Sequence, residues 1–276
     1  ATNVNTEKTA TNTVVLSGGI SATGDVKAGG GNWTYYDKVY GVSADGAGSA
    51  NDVTMAGNIE AKAGQTNTNY ATIAAIDADN SGKNTITGVK NISATEVAGK
   101  DATVYGIHSN DSGTNNVNVG ATTNMGTLTA TIADTDAGKE ADAYGIMAEN
   151  SSQNTVDGLG AITVTGNRTA YGIDAVANST NKINLEGDTD RGDIVVTANT
   201  GAANGVSATG TETGASSNTV YGYNNISVTG ATSATGIEAT GNDETNTATN
   251  TVAMSGALTT KSTTGPSTGI TATDYA

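Results

Sequence analysis

No cysteine and no phenylalanine occur in this chain of 276 residues, and proline, histidine and tryptophan occur once each, at Pro266, His108 and Trp33. Without cysteine there are no disulfide staples and no thiolate zinc site, while the compartment stays open. A single proline suits a sheet whose strands are central everywhere except at its ends. Apolar residues make up 36% and aromatics 4%, too little for a core of large side chains. Cations are scarce as well: 12 Lys and Arg face 27 Asp and Glu, a net charge of −15 with a pI near 4.2. That balance disfavours nucleic acid and anionic membrane as partners, since both would be repelled. No apolar run approaches the ~20 residues of a membrane-spanning helix, so no membrane insertion of this segment is expected. The first residues do not read as a secretory leader, and the expectation is that Ala1 begins a mature chain or a portion of a longer one.

What is abundant is Thr (49), Gly (37) and Asn (30). Such polarity with such charge usually means disorder, but the apolar residues here are strictly placed. An Asn-x-Val/Ile motif starts at Asn12, Asn51, Asn84, Asn115, Asn154, Asn181, Asn218 and Asn250. A second motif, small-Tyr-Gly-Ile/Val, is full at Tyr40, Tyr105, Tyr144 and Tyr171 and weakens at Asn204, Thr235 and Thr268, with Ala74 filling the missing turn. The third is Ile/Leu-x-Ala/Val, led by Ile20, Ile59, Ile92, Leu128, Ile162, Ile194, Ile226 and Leu258. From motif Asn to the next third-motif residue the gap is 8 in six of eight cases and 13 in the other two, Asn115 to Leu128 and Asn181 to Ile194. Fixed strands with length variation confined to certain corners is how a stacked solenoid accepts insertions.

Each segment alternates with period 2, as Val53 and Met55 do against Asp52 and Thr54. β-Branched Thr and Val dominate and Gly recurs too often for helix. The fold class expected is all-β: a single-stranded right-handed parallel β-helix of about eight irregular coils, each of three short strands. Handedness follows from the general preference of parallel crossovers. At about 4.8 Å per coil the rod would be roughly 35–40 Å long. Residues 1–276 read as one domain, expected to be a portion of a longer protein, with 20–41 as its longest insertion loop. The motif Asn shares parity with the buried Val, so its amide either forms a ladder between coils or sets a left-handed corner.

The segments Asn12-Thr13-Val14, Asn154-Thr155-Val156, Asn218-Thr219-Val220 and Asn250-Thr251-Val252, with Ile162–Gly166 and Ile226–Gly230, carry a resemblance. In them, and in its Gly, Asn, Thr and Ala content, the chain resembles the passenger domains of autotransporter proteins of Gram-negative bacteria. The resemblance covers nearly the whole chain. It is specific for architecture and poor for function, since that family includes adhesins, self-associating proteins, toxins and enzymes. It implies an extracellular rod on the bacterial cell surface, anchored in the outer membrane through a part not present here.

For chemistry the sequence offers little. Ser/His/Asp catalysis needs a histidine base, and His108 falls on an outward face with no Gly-x-Ser-x-Gly elbow. Asp77 and Glu149, and likewise His108 and Asp174, occupy neighbouring outward positions that would make a shallow acidic strip. Asp77, Asp79 and Ser81 have the alternate oxygens of a calcium loop, though Gly88 stands where the closing Glu belongs. Asp134 and Asp136, and Asp188 and Asp190, echo that pattern; the competing reading is plain turns. Arg191-Gly192-Asp193 is an integrin-type tripeptide in a five-residue insertion, or simply a polar loop. Trp33, Tyr35 and Tyr36 would bind a ligand or fold back as a cap. The expectation is a non-catalytic adhesin or rigid stalk without cofactor, calcium aside. Its partners would be a host cell-surface protein or glycan, or its own kind on neighbouring cells. The alternatives are a polysaccharide lyase or glycoside hydrolase, a phage tailspike-like rod, and an ice-binding face built from pairs such as Thr129/Thr131 and Thr163/Thr165, against which uneven coils argue.

Overall fold

The computed structural model describes residues 9–24, 36–65, 70–98, 102–119, 126–133, 141–243 and 245–274. It is a parallel β-solenoid in which each coil contributes a strand to three rows. The asparagine row runs from Ala10–Leu16 to Ala248–Met254, the isoleucine row from Ile20–Gly24 to Leu258–Ser262, and the tyrosine-glycine row from Tyr36–Asp45 to Ser267–Asp274. One long strand, Ser216–Gly230, serves both of the first two rows and joins them into a 15-stranded sheet; the third row is a separate 8-stranded sheet. Six interior coils, from Ser49 to Gly241, have a paired neighbour on either side, with one terminal coil at each end.

The registers follow the motifs. Ile59 pairs with Ile92, Ile92 with Leu128, Leu128 with Ile162, and Ile162 with Ile194. Those five side chains are fully buried. Each such aliphatic chain contributes roughly 1.5–3 kcal/mol on burial, and stacking like on like fills the narrow interior without aromatics. The tyrosine-glycine row adds Ile76, Ile107, Ile146 and Ile173 in one column. At the end strand Ser267–Asp274 that column opens: Ile270 is 71% exposed, whereas Val42 at the other end stays buried.

Length differences between coils collect at the corners. Both ends of the span 20–41 are strand, Ile20–Gly24 and Tyr36–Asp45, and residues 25–35 lie outside the described residues. The five extra residues before Ile194 form the corner that includes exposed Leu185 and half-buried Asp188. Because corners absorb the variation, faces stay in register: Thr95, Thr131, Thr165, Thr197 and Thr229 fall in one outward column. The column beside it is broken by Val195, and Lys62 and Lys261 stand at the ends of the threonine run.

The motif asparagines sit inside the corner between the tyrosine-glycine strand and the next asparagine strand. Each donates one amide proton to the next: Asn51 to Asn84 at 2.8 Å, Asn84 to Asn115 at 2.8 Å, Asn115 to Asn154 at 2.9 Å and Asn154 to Asn181 at 3.0 Å. The chain of bonds begins with Asn12 to Asn51 and ends with Asn181 to Asn218 and Asn218 to Asn250, all 2.9 Å. The second amide proton crosses the corner to a backbone carbonyl of the tyrosine-glycine strand, at Asp77, His108 and Met147 among others. The ladder thereby fixes the height of the column that carries the charged residues described next.

Candidate functional site

Glycine creates this site by adding one residue to the strand alternation. In the strand Ala102–Ser109, Tyr105 pairs with Tyr144 and Ile107 with Ile146, while Gly106 is passed over. Val104 and Ile107 both point inward and are fully buried, so Tyr105 and His108, three apart, share the outer side. The strand bends between them, and their rings stack with centroids 4.2 Å apart. Close approach enforces the glycine: a Cβ at Gly106 would stand 2.6 Å from the Gly145 carbonyl oxygen, and one at Gly172 2.4 Å from that of Gly205.

Three outward columns line the bend. One is tyrosine, with Tyr105 on Tyr144 and Tyr144 on Tyr171 at 5.2 Å each. The second, beyond the glycine, runs Ser43, Asp77, His108, Met147, Asp174, Ser207 and Glu238. The third lies just past the end of the strand Asp142–Ala148 and includes Glu149, whose amide donates to the Ser109 carbonyl. Tyr144 covers one face of Tyr105, so His108 covers the other, on the side where Ala74 replaces a tyrosine. The missing aromatic in the second motif is the space the imidazole fills. Ala74→Tyr is therefore expected to force His108 out and cost about 1–3 kcal/mol through overpacking. Thermal unfolding would show the loss, and the imidazole would titrate closer to its ordinary range by NMR.

His108 bridges two carboxylates. Its Nδ1 lies 2.8 Å from Asp77 Oδ1 and its Nε2 3.1 Å from Glu149 Oε1. The sequence placed His108 outward, and so it is, yet only 8% of it is exposed. Burial by itself opposes the imidazolium, but the hydrogen bonds to Asp77 and Glu149 outweigh it and push the pKa up to about 9. Asp174, two coils further along, is buried against Ser207 and has no hydrogen-bond partner at Oδ1. Burial, with Glu149 and Glu238 adding to it, raises its carboxyl to about 7, against the lowering effect of Ser207 and the Ala175 amide. Tyr105 and Tyr144 are pushed well above the ordinary phenol range, first by burial. The ensemble is an acidic strip: a held imidazolium, the Asp77 and Glu149 side chains that bracket it, and a carboxyl raised to near neutrality.

Comparison with known proteins finds no matching family model, no matching curated protein and no matching solved structure. The geometry alone therefore speaks for the site. With both imidazole nitrogens engaged by carboxylates, His108 has no nitrogen free to take a proton from a nucleophile.

The other sequence candidates are distributed. Asp77 turns its Oδ1 to His108, Asp79 accepts from the Asn80 amide at 2.8 Å, and Ser81 sits in a left-handed turn at φ 66°. Among the described residues, no three His, Asp or Glu side chains come together as a metal set. Arg191 pairs with Asp188 at 2.8 Å, Gly192 opens the strand Gly192–Ala198, and Asp193 accepts from both the amide and side chain of Asn225. All three residues are half-buried, so the tripeptide lies along the rod with its charges engaged. Asp188 also accepts from the Leu185 amide. Trp33, Tyr35, Asp134 and Asp136 lie outside the described residues, as does the side chain of Tyr36, which begins its strand. Sequence spacing grouped Asp77, Glu149, His108 and Asp174 as neighbours, but gave no sign that the glycine bend would bury them.

Proposed function

We propose that this chain is a rigid, non-catalytic adhesive rod or stalk of the autotransporter passenger type, displayed outside a Gram-negative cell. The observation that carries the reading is the separation of corners from faces. Length variation falls between the strands, while all three rows pair coil to coil, one of them through the eight strands of the tyrosine-glycine sheet. Such a body transmits force and presents long flat surfaces for lateral contact, with loops free to vary. A lyase reading has less support, because acidic polysaccharide needs a free cation and the cation in the strip is neutralised by Asp77 and Glu149. A tailspike-like rod would have to be an obligate trimer.

The test is binding of the purified chain to a glycan array, to host cells and to cells displaying the same chain, with its mass in solution measured alongside. Saturable attachment to any of these by a monomer is the expected result. No attachment to glycans, to cells or to itself would overturn adhesion, and a stable trimer would favour the tailspike reading.

A further inference from the structure

We propose that the outer strip of the tyrosine-glycine sheet between Glu149 and Glu238, with Asp174 at its floor, binds a ligand that carries a protonated primary amine. Two independent observations meet there. The first is charge. Asp77 and Glu149 outnumber the one imidazolium they share. Asp174 and Glu238 continue the column without a basic residue, since Met147 and Ser207 fill its other positions. Arg168, at the strip's edge, is taken by Asp142 at 2.5 Å. Anions are repelled from such a strip, and its low-dielectric floor strengthens its field.

The second observation is the bare oxygen of Asp174. A buried carboxylate oxygen without a donor costs free energy, and native structures seldom leave one so. Here it lies under the surface between Glu149 and Glu238, the two carboxylates whose charge it feels most. Glu149, with 29% of its side chain exposed, and half-buried Glu238 are the accessible ends. Three coils separate them, about 14 Å along the axis at the usual strand spacing. No metal set exists among the described residues, so the cation that fits is one bringing its own N–H donors. An alkylammonium supplies three, enough to span carboxylates on adjacent coils.

Binding would also favour the ionised form of Asp174. The groups facing it are Glu149, Glu238, Tyr144 and Tyr171, with Ser207 bonded to it and His108 beyond Glu149. Affinity should therefore rise as pH climbs through neutrality, with release of a proton from Asp174 on binding.

The inference does not rest on adhesion, since the rod could attach to cells through another face. Calorimetry at physiological salt would use spermidine and a glucosamine tetramer as amine probes, with N-acetylglucosamine and galacturonate oligomers as controls. Expected are one-site binding of an amine probe, none of the controls, and about tenfold weakening in Glu149→Gln. Asp174→Asn, nearly the same shape, should remove the rise in affinity with pH. Asp52→Asn, on another row, should change nothing and so separates this strip from the general acidity of the chain. Spermidine alone binding points to linear polyamines, and the tetramer alone to amino sugars. Equal binding of the acetylated tetramer, indifference to Glu149→Gln and Asp174→Asn, or no binding at all would overturn the proposal.

Discussion

Asn115→Ala is expected to lower the free energy of unfolding by about 3–6 kcal/mol, whereas Asn12→Ala should cost less than about 1 kcal/mol. Asn115 is fully buried, accepts from Asn84 and donates both to Asn154 and to the His108 carbonyl. Its removal strands one donor and two acceptors in the interior, each worth about 1–3 kcal/mol when left unpaired. Asn12 makes the same bond to Asn51 but is exposed, so water replaces what is lost. Urea unfolding of the two variants checks this directly. Similar losses at both positions would mean that the ladder sets local corner geometry and adds little to cohesion between coils. A loss at Asn115 should also reach the strip, because its amide holds the backbone at His108, and the imidazole titration should shift with it.

The columns were legible in the sequence because stacking forces like residues to recur. The interval of eight from Asn51 to Ile59, repeated from Asn84 to Ile92 and Asn154 to Ile162, is the length of one strand, one corner and the start of the next strand. Even the gap at Ala74 was visible as a missing tyrosine. Its consequence was not, since the ring that fills it comes from His108, in the next coil. Likewise, Arg191-Gly192-Asp193 reads as a loop when seen alone. Asp193 meets Asn225, 32 residues later, because they share a level of the stack, and no local pattern encodes that. Tertiary contacts between coils decide whether a charged residue is presented or engaged, and three-residue motifs carry no information about the coil above. The glycine bend is a similar case: Tyr-Gly-Ile is plain in the sequence, but the burial it imposes on the residue after Ile depends on the tyrosine column.

The stability of the rod should fall as pH rises from about 5 to above 9, the reverse of what acid denaturation of carboxylate-rich chains leads one to expect. Two buried groups act in the same direction. His108 has a folded pKa near 9 against an ordinary 6.5. Its imidazolium therefore stabilises the fold fully below 6.5, and that contribution, on the order of 3 kcal/mol, is lost as pH climbs through 9. Asp174 is raised from 3.8 to about 7 by burial. The folded state keeps this proton where the unfolded chain has lost it, so a penalty on the order of 4 kcal/mol grows above pH 3.8 and is complete above 7. Asp243, exposed and lowered to about 2 by the Thr245 hydroxyl and neighbouring amides, titrates below this window. Urea midpoints at pH 5, 7 and 9.5 should descend in that order. Asp174→Asn should flatten the lower limb and His108→Gln the upper one, the latter being much less stable than the parent at pH 6 and close to it at pH 10. Midpoints that rise across the range would show that Asp174 is ionised and satisfied in solution, and that His108 is not held as a cation between Asp77 and Glu149.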